Sequence, residues 1–317
     1  MAHVQTDPTP LTFAVMIPAY NAEATIDAAI DSVLAQTRPA DEILVCNDGS
    51  TDRTGDILAT YGERITVITQ ANAGVSAACN AILHAACSEF VIKLDADDTW
   101  HPERIQRIEE YLTANPHLDI VTTDAWLVRD GVTLRSAYQG WWFHEERQEV
   151  EILRENFIFG SAAVRRASIL AAGGWDETRS HQCEYDGWVR MVLRGSRAGL
   201  VPLPLATYNL RQDSYSRDRR ATWASDLELL GTIASGEVLT REQLAAVREH
   251  RRSLVRRLRL LGAKQALNRE ERGVRRKCLL VALVPGELAR RRVKFLAAAA
   301  APRLAARRIR AVDLFDR

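Results

Sequence analysis

The run VIKLDADDTW, residues 91–100, ends an apolar stretch in three carboxylates within four positions: Asp95, Asp97 and Asp98. Carboxylates this close raise one another's pKa and oppose folding unless a cation or hydrogen-bond donors offset them. Hard oxygen ligands of this kind suit Mg²⁺ or Mn²⁺, which commonly take one or two carboxylates plus phosphate oxygens from a substrate. A divalent ion arriving with a diphosphate would account for the excess negative charge. The same residues also read as a solvated turn with helix caps, Asp98 or Thr99 capping a helix that starts near Pro102. Three further polar groups precede this one: Pro18-Ala19-Tyr20-Asn21, Asn47-Asp48-Gly49-Ser50 and Gln70-Ala71-Asn72-Ala73-Gly74. Each alone reads as ordinary turn chemistry.

The elements that must position these groups alternate regularly. FAVMIP (13–18), EILVCN (42–47), ITVITQ (65–70) and FVIKL (90–94) read as buried strands. AEATIDAAIDSVLAQ (22–36), STDRTGDILATYG (50–62, with Ser50 or Thr51 as cap) and GVSAACNAILHAAC (74–87) read as the helices between them. Continuous apolar strands separated by helices imply a parallel sheet covered on both faces, an α/β domain. Ligands of such sheets bind outside the carboxyl ends of the strands, and all four polar groups fall at that edge. Beyond it, 101–115 reads as a helix, 119–128 and 157–166 as strands and 183–195 as a helix. Residues 140–156 mix aromatics, Trp141, Trp142 and Phe143 among them, with a helical charge pattern.

The chain has 317 residues, with ordinary apolar (47%) and charged (26%) shares, so a core needs no covalent staples. Its five cysteines are scattered without CxxC spacing, which argues against a disulfide framework or a zinc site and fits a reducing compartment. Residues 1–12 read as a loose tail without the regions of a signal peptide. No apolar run approaches the length of a spanning helix. The formal net charge of +1 conceals a division: 22 Lys and Arg against 7 Asp and Glu from Arg241 onward, and a net −14 before it.

Taken in order, VMIPAYNAEATIDAAIDSVLAQT, DEILVCNDGSTDRT, QANAGVSAACNAIL and FVIKLDADDTWHPERI resemble glycosyltransferase family 2, enzymes of the GT-A fold. The resemblance runs from about Phe13 to Tyr215. It implies a Rossmann-like, mainly parallel sheet flanked by helices over 13–220; beyond it the nearly continuous helix-forming, basic composition predicts a helical, Arg-rich C-terminal region over 221–317. It further implies that Pro18, Tyr20, Asn21 and Asp48 hold the nucleoside of a nucleotide-diphosphate sugar, with Asn72 and Gly74 beside it. Asp95 and Asp97 then form the DxD motif, Asp95 by the ribose and Asp97 by Mn²⁺ or Mg²⁺, with Asp98 sharing the metal. The implied base of the donor nucleotide is uridine, guanosine or thymidine.

An inverting sugar transfer needs a base for the acceptor hydroxyl. The family supplies it from a Glu-Asp pair at a helix start before an xDLWLR segment, and the counterpart here is CEYDGWVRM, preceded by GGWDE (173–177). Alignment on Trp188 and Arg190 places Cys183 and Glu184 at the Glu-Asp positions, which makes Glu184 the expected base and Asp186 the next candidate. Both acids also suit a helix N-terminus without any catalysis. Two departures bear on the donor. Cys79 stands where the family often has Arg, and Arg211, followed by Ser214 and Ser216, stands where a His precedes a Ser pair. A guanidinium at 211 would bind phosphate oxygens in its place.

The basic end combines Arg clusters with Leu, Val and Ala faces. Such helices lie on anionic membranes or pack against protein, including a second copy of the chain. These readings give a metal-dependent inverting transferase acting on a hydroxyl of a glycan or lipid-linked acceptor, in surface polysaccharide or glycoconjugate synthesis. It would be cytoplasmic, or peripheral on the inner face of the cell membrane. The alternative is a catalytically silent nucleotide-binding protein that serves as an assembly partner. A nucleotidyltransferase would carry a Gly-rich basic loop after the first strand, which PAYNAE is not. Nucleic acid is not an expected partner, since the acidic rim has the wrong sign for it.

Overall fold

A computed structural model describes residues 10–179, 183–211, 218–268, 274–282 and 289–302. The chain divides into two units, Met1–Arg217 and Asp218–Arg317, a boundary three residues before the one expected.

The first unit is built on a nine-stranded sheet. Its parallel half holds β1 (Phe13–Ala19), β2 (Glu42–Asp48), β3 (Thr66–Gln70) and β4 (Phe90–Lys93), in the order β3-β2-β1-β4. All seven residues of β1 are buried, because helices cover the sheet on both faces and leave no side for polar groups. Helix α1 (Ile26–Leu34) buries Ile26, Ala29, Ile30 and Val33, a spacing of three and four residues that makes one apolar stripe. The stripe joins Phe13, Val15 and Ile17 in a core that also takes Ile105, Ile108 and Leu112 from α4 (Arg104–Ala114). Helices α2 (Thr54–Thr60) and α3 (Val75–Ala85) complete the crossovers.

Two expected helices start later than their apolar pattern suggested. Residues 21–23 and 50–54 are bonded to each other instead. The Asn21 amide N–H donates to Ser50 Oγ (3.0 Å), and Thr51 N–H donates to Asn21 Oδ1 (2.8 Å). Ala22 and Glu23 N–H donate to Thr54 Oγ1 and Asp52 Oδ2 (2.8 and 3.0 Å). Ser50 and Thr51 therefore do not cap α2, which starts after Arg53 without a side-chain cap; Asp52 Oδ1 accepts from Thr54 N–H at 2.9 Å in the turn leading into it.

Beyond β4 the sheet is mixed, so the expected parallel order holds for its first half. The remaining strands are β5 (Thr99–Trp100), β6 (Ile120–Arg129), β7 (Val132–Ser136), β8 (Ala163–Arg165) and β9 (Ala198–Asn209). The path continues β4-β8-β6-β9-β5, with β7 paired to β6. Strand β8 runs antiparallel to both its neighbours, while β6 and β9 are parallel. Of the strand expected over 157–166 only Ala163–Arg165 forms, and α6 (Arg166–Ala171) follows it directly. Of the helical pattern in 140–156 only α5 (Gln148–Glu151) is an α-helix. Helix α7 (Cys183–Leu193) lies where it was expected.

The second unit contains α8 (Arg219–Gly236), α9 (Arg241–Asn268), α10 (Val274–Ala282) and α11 (Ala289–Ala300). Asp218 caps α8, accepting from Arg220 and Ala221 N–H at 3.0 Å each. Thr240 and Gln243 exchange backbone–side-chain bonds at the start of α9, the reciprocal pattern of a capping box. Ala263, Ala266, Leu267, Cys278, Val281, Phe295 and Ala298 form its small core. Among the described residues no helix is long and apolar enough to cross a membrane.

All five cysteines are free thiols, and all but Cys87 are buried. Burial pushes the thiols of Cys46 and Cys278 up to about 11 and that of Cys79 up to about 12. A thiol reagent at pH 8 should therefore titrate one rapid equivalent, Cys87, in the native protein and five after denaturation. A second rapid equivalent in the native protein would contradict this packing.

Candidate active site

Because β1, β2 and β4 are parallel and adjacent, their carboxyl ends share one rim. The first element contributes Pro18, buried within β1, and Tyr20, whose ring is 52% exposed. Asn21 sits at φ 48°, a left-handed conformation that Asn tolerates better than most residues. Its carboxamide oxygen is occupied by Thr51 as described, so it joins two loops at the rim.

Asp48, at the end of β2, is buried and accepts three hydrogen bonds. Its Oδ1 accepts from Gln70 Nε2 (2.7 Å) and Ala73 N–H (2.9 Å), and its Oδ2 accepts from Gly74 N–H (2.9 Å). The carboxylate thus fixes the loop carrying Asn72 and Gly74, both exposed at the start of α3. Gly49 next to it has φ +71°, and a Cβ there would lie 2.6 Å from the Asn72 amide nitrogen. Only glycine fits this approach.

The acid-rich turn follows β4. Asp98 is buried, caps no helix, and accepts from Asn209 N–H at 2.8 Å through Oδ1. Asn209 in turn donates its side-chain amide to the Asp97 carbonyl oxygen (2.7 Å), so the end of β9 is laced to the turn. Burial, then the neighbouring Asp95, push the Asp98 carboxyl well above its ordinary value. The Asp97 carboxyl is raised by the same two causes, opposed by Arg211 and Lys93. Arg211 therefore lies within electrostatic reach of Asp97, as its place in the sequence suggested. Ser214 and Ser216 lie outside the described residues.

Asp95 pairs with Lys93 Nζ at 2.8 Å, and the same ammonium donates to Glu184 Oε1. Lys93 is buried. Burial alone would lower its pKa, but the two carboxylates outweigh it and hold the ammonium well above its usual value. Glu184 is governed by the same balance. Burial pushes its carboxyl up, and Lys93 with its hydrogen bond brings the net below the usual range. The Cys183 thiol donates to Glu184 Oε2 at 3.3 Å.

Asp186 has a different neighbourhood. Its Oδ2 accepts from Arg190 Nε (2.9 Å) and Nη2 (2.7 Å), and Arg179 stands 3.6 Å from its Oδ1. Arg190 also donates to the carbonyls of Ala172 and Gly174. Asp186 and Arg190 thus fasten α7 to the GGWDE loop. Asn80 holds that loop from α3, donating to Trp175 O (2.8 Å) and Glu177 Oε1 (2.7 Å) and accepting from Trp175 N–H (2.9 Å).

Two buried basic residues beside the site carried no expectation. Lys93 was visible as a charge inside an apolar run, but its partner is 91 positions away. Arg104, wholly buried, donates to Thr123 Oγ1 and the Ser161 carbonyl and lies over the Trp100 ring. Burial lowers its pKa to about 9, with Asp98 pulling the other way. Cys79, at the family's arginine position, is buried within the field of Lys93, so the positive charge near this position comes from β4. The aromatic segment divides. Trp141 stacks on Tyr138 (4.8 Å between centroids) and Phe143 packs edge-on against Phe157, while Trp142 is 75% exposed.

A family model described as glycosyl transferase family 2 matches residues 14–173, half of the chain. The chondroitin synthase of Pasteurella multocida is 28% identical over 185 residues, 56% of this chain and 18% of that protein. The chain spans less than two fifths of the length of the first curated relatives it matches. Staphylococcus aureus TarS 1–349 in complex with UDP-GlcNAc superposes with a TM-score of 0.66 at 17% identity, covering 95% of this chain and 92% of that one. The mannosyltransferase PcManGT of Pyrobaculum calidifontis, in complex with GDP-Man and Mn²⁺, gives 0.59 at 17% identity, covering 97% and 89%. These likenesses establish the GT-A type of fold.

Replacing Asp48 by Ala should strand three donors and destabilise the protein by about 2–4 kcal/mol, read from urea unfolding. A variant as stable as the parent would show that Asp48 does not hold the 72–74 loop.

Proposed function

This chain belongs to glycosyltransferase family 2, and on that premise we propose that it transfers a sugar, with inversion, from a nucleotide-diphosphate sugar to a hydroxyl of a glycan or lipid-linked acceptor. The observation that carries the reading is the meeting at one ammonium of Asp95, from the acid-rich turn, and Glu184, from α7. It brings the residue expected beside the donor to the residue expected to act on the acceptor. Synthesis of a surface polysaccharide or glycoconjugate suits the resemblance to chondroitin synthase.

In this reading the nucleoside lies against Tyr20 and the loop that Asp48 pins, with Asp95 by the ribose. Glu184 is the base. Lys93 keeps its carboxyl below the usual range, so it is ionised at neutral pH and able to accept a proton. The acceptor oxygen attacks the anomeric carbon, its proton passes to Glu184, and the bond to the diphosphate breaks with its electron pair leaving on the diphosphate. Asp186 is assigned to holding α7, since Arg190 and Arg179 occupy it.

The donor set fits a divalent ion. Asp97 is a carboxylate raised by burial and by Asp95, and a cation beside it would relieve both. Among the described residues no group of three or more His, Cys, Asp or Glu could hold a metal ion. The remaining ligands would therefore be diphosphate oxygens and water, the usual pattern for Mg²⁺ or Mn²⁺. Such an ion would offset the charge gathering on the leaving diphosphate. Asp98 is better placed to hold Asn209 than to share the metal, and Arg211 is the cation assigned to the phosphates.

The second unit is read as a membrane-facing or subunit-facing region. Arg276, Lys277 and Lys294 are exposed on α10 and α11, beside the exposed Leu279 and Leu296. Basic charge flanking exposed leucines suits an anionic lipid surface.

The test is a panel of uridine, guanosine and thymidine diphosphate sugars with Mn²⁺, read by thermal stabilisation and by release of nucleoside diphosphate. One donor should stabilise the protein and be turned over. Asp97→Asn should lose the Mn²⁺-dependent part of binding. Glu184→Gln should keep donor binding and lose about 10²–10⁴ in rate. Stabilisation without release in the presence of acceptor would identify a silent nucleotide-binding protein instead. For the second unit, the full-length chain should sediment with anionic and not zwitterionic vesicles, and Leu279→Asp with Leu296→Asp should abolish this. Indifference to vesicles of either kind removes the membrane role.

A further inference from the structure

We infer that Lys93 is the positioning residue of this site, a shared counterion that fixes Glu184 and Asp95 against one point so that base and donor-side carboxylate are aligned together. The inference deepens the reading of Glu184 as base and rests on it.

Lys93 is the one charged side chain in β4, and β4 lies inside the sheet between β1 and β8. A lysine enters such a place at a desolvation cost that only close, well-satisfied partners offset. Here both partners are carboxylates of the rim, and they come from different elements. Without the ammonium, Asp95 and Glu184 would repel each other, and at least one would turn away or take up a proton.

The surroundings fix the backbone that carries Lys93. Leu94 N–H donates to Met16 O at 2.9 Å, and Ser161 Oγ donates to the Lys93 carbonyl at 2.8 Å. Arg104 grips the Ser161 carbonyl in turn. The same 160–161 turn passes close to Glu184: a Cβ added at Gly160 would lie 3.8 Å from Glu184 Cγ. The second carboxylate oxygen of Glu184 is met by Cys183. The turn therefore holds the Lys93 backbone and lies near Glu184, and Arg104 anchors that turn from the core. This is support for a fixed geometry, which a surface ion pair lacks.

The consequence for the reaction is specific. Lys93 acts on kcat through Glu184 and on donor binding through Asp95, so its loss should lower kcat only while Glu184 is the base and raise the donor KM in either background. We would measure nucleoside diphosphate release by the full-length protein, with the donor the panel identifies and Mn²⁺, for the parent, Lys93→Met, Glu184→Gln and the double variant. Lys93→Met should lower kcat by about 100-fold or more, and the double variant should match Glu184→Gln within about threefold. A kcat for Lys93→Met within about threefold of the parent overturns the inference. So does a double variant about tenfold or more slower than Glu184→Gln, which would mean independent, structural loss. If Lys93→Met does not fold, the comparison of the double variant with Glu184→Gln still decides, because no buried carboxylate at 184 is then left unpaired. Full activity in Glu184→Gln removes the base assignment, and no release from the parent with any donor removes the proposed function. Either result removes this inference with it.

Discussion

Compensation of negative charge governs this rim. Six carboxylates lie at or near it, and nearby donors or cations answer them to different degrees. Amide hydrogens and a glutamine meet Asp48, a backbone N–H from β9 meets Asp98, one ammonium serves both Asp95 and Glu184, and two guanidiniums meet Asp186. Asp97 is answered by the opposing charges of Arg211 and Lys93. Its carboxyl, like that of Asp98, remains raised by burial and by Asp95, and because Asp98 already accepts from Asn209, Asp97 is the group we assign to a bound cation. The rest of the first unit can be understood as the frame that delivers these donors.

That frame works because parallel strands put their carboxyl ends on one side. The loops that follow are then fastened to one another rather than left to solvent. Asn21, Ser50, Thr51 and Asp52 join the loops after β1 and β2. Asp48 draws in the loop after β3, and Asn209 draws the end of β9 onto the turn after β4. Helix α7 is fixed independently by Asn80 and Arg190 through the GGWDE loop. The two halves of the candidate site therefore have separate anchors and meet at Lys93.

The parallel half of the sheet was legible because its strands are continuous apolar runs between amphipathic helices. The acid-rich turn was legible because charge following a buried strand is conspicuous. Strand β9 was not, since Pro202 and Pro204 argue against an inner strand. The structure accommodates them at a register shift, where Thr123 pairs with Val201 and Asp124 with Pro204. The two-residue β5 and the exposed edge strand β7 are too short or too solvated to carry an apolar pattern. Glu184 and Asp186 looked alike as acids at a helix start. Two positions along a helix turn side chains about 200° apart, so one reaches Lys93 and the other Arg190. Sequence order records neither partner.

The burial of these ion pairs also sets how the rim responds to temperature. The hydration that charged groups give up on folding is entropically costly to water and becomes less favourable as temperature rises, while the gain from apolar burial levels off. Pairs such as Lys93–Glu184 and Arg190–Asp186 therefore weigh relatively more in a warm cell than in a cold one. Cooling would lower the relative weight of these pairs while the apolar packing beneath them weakened as well.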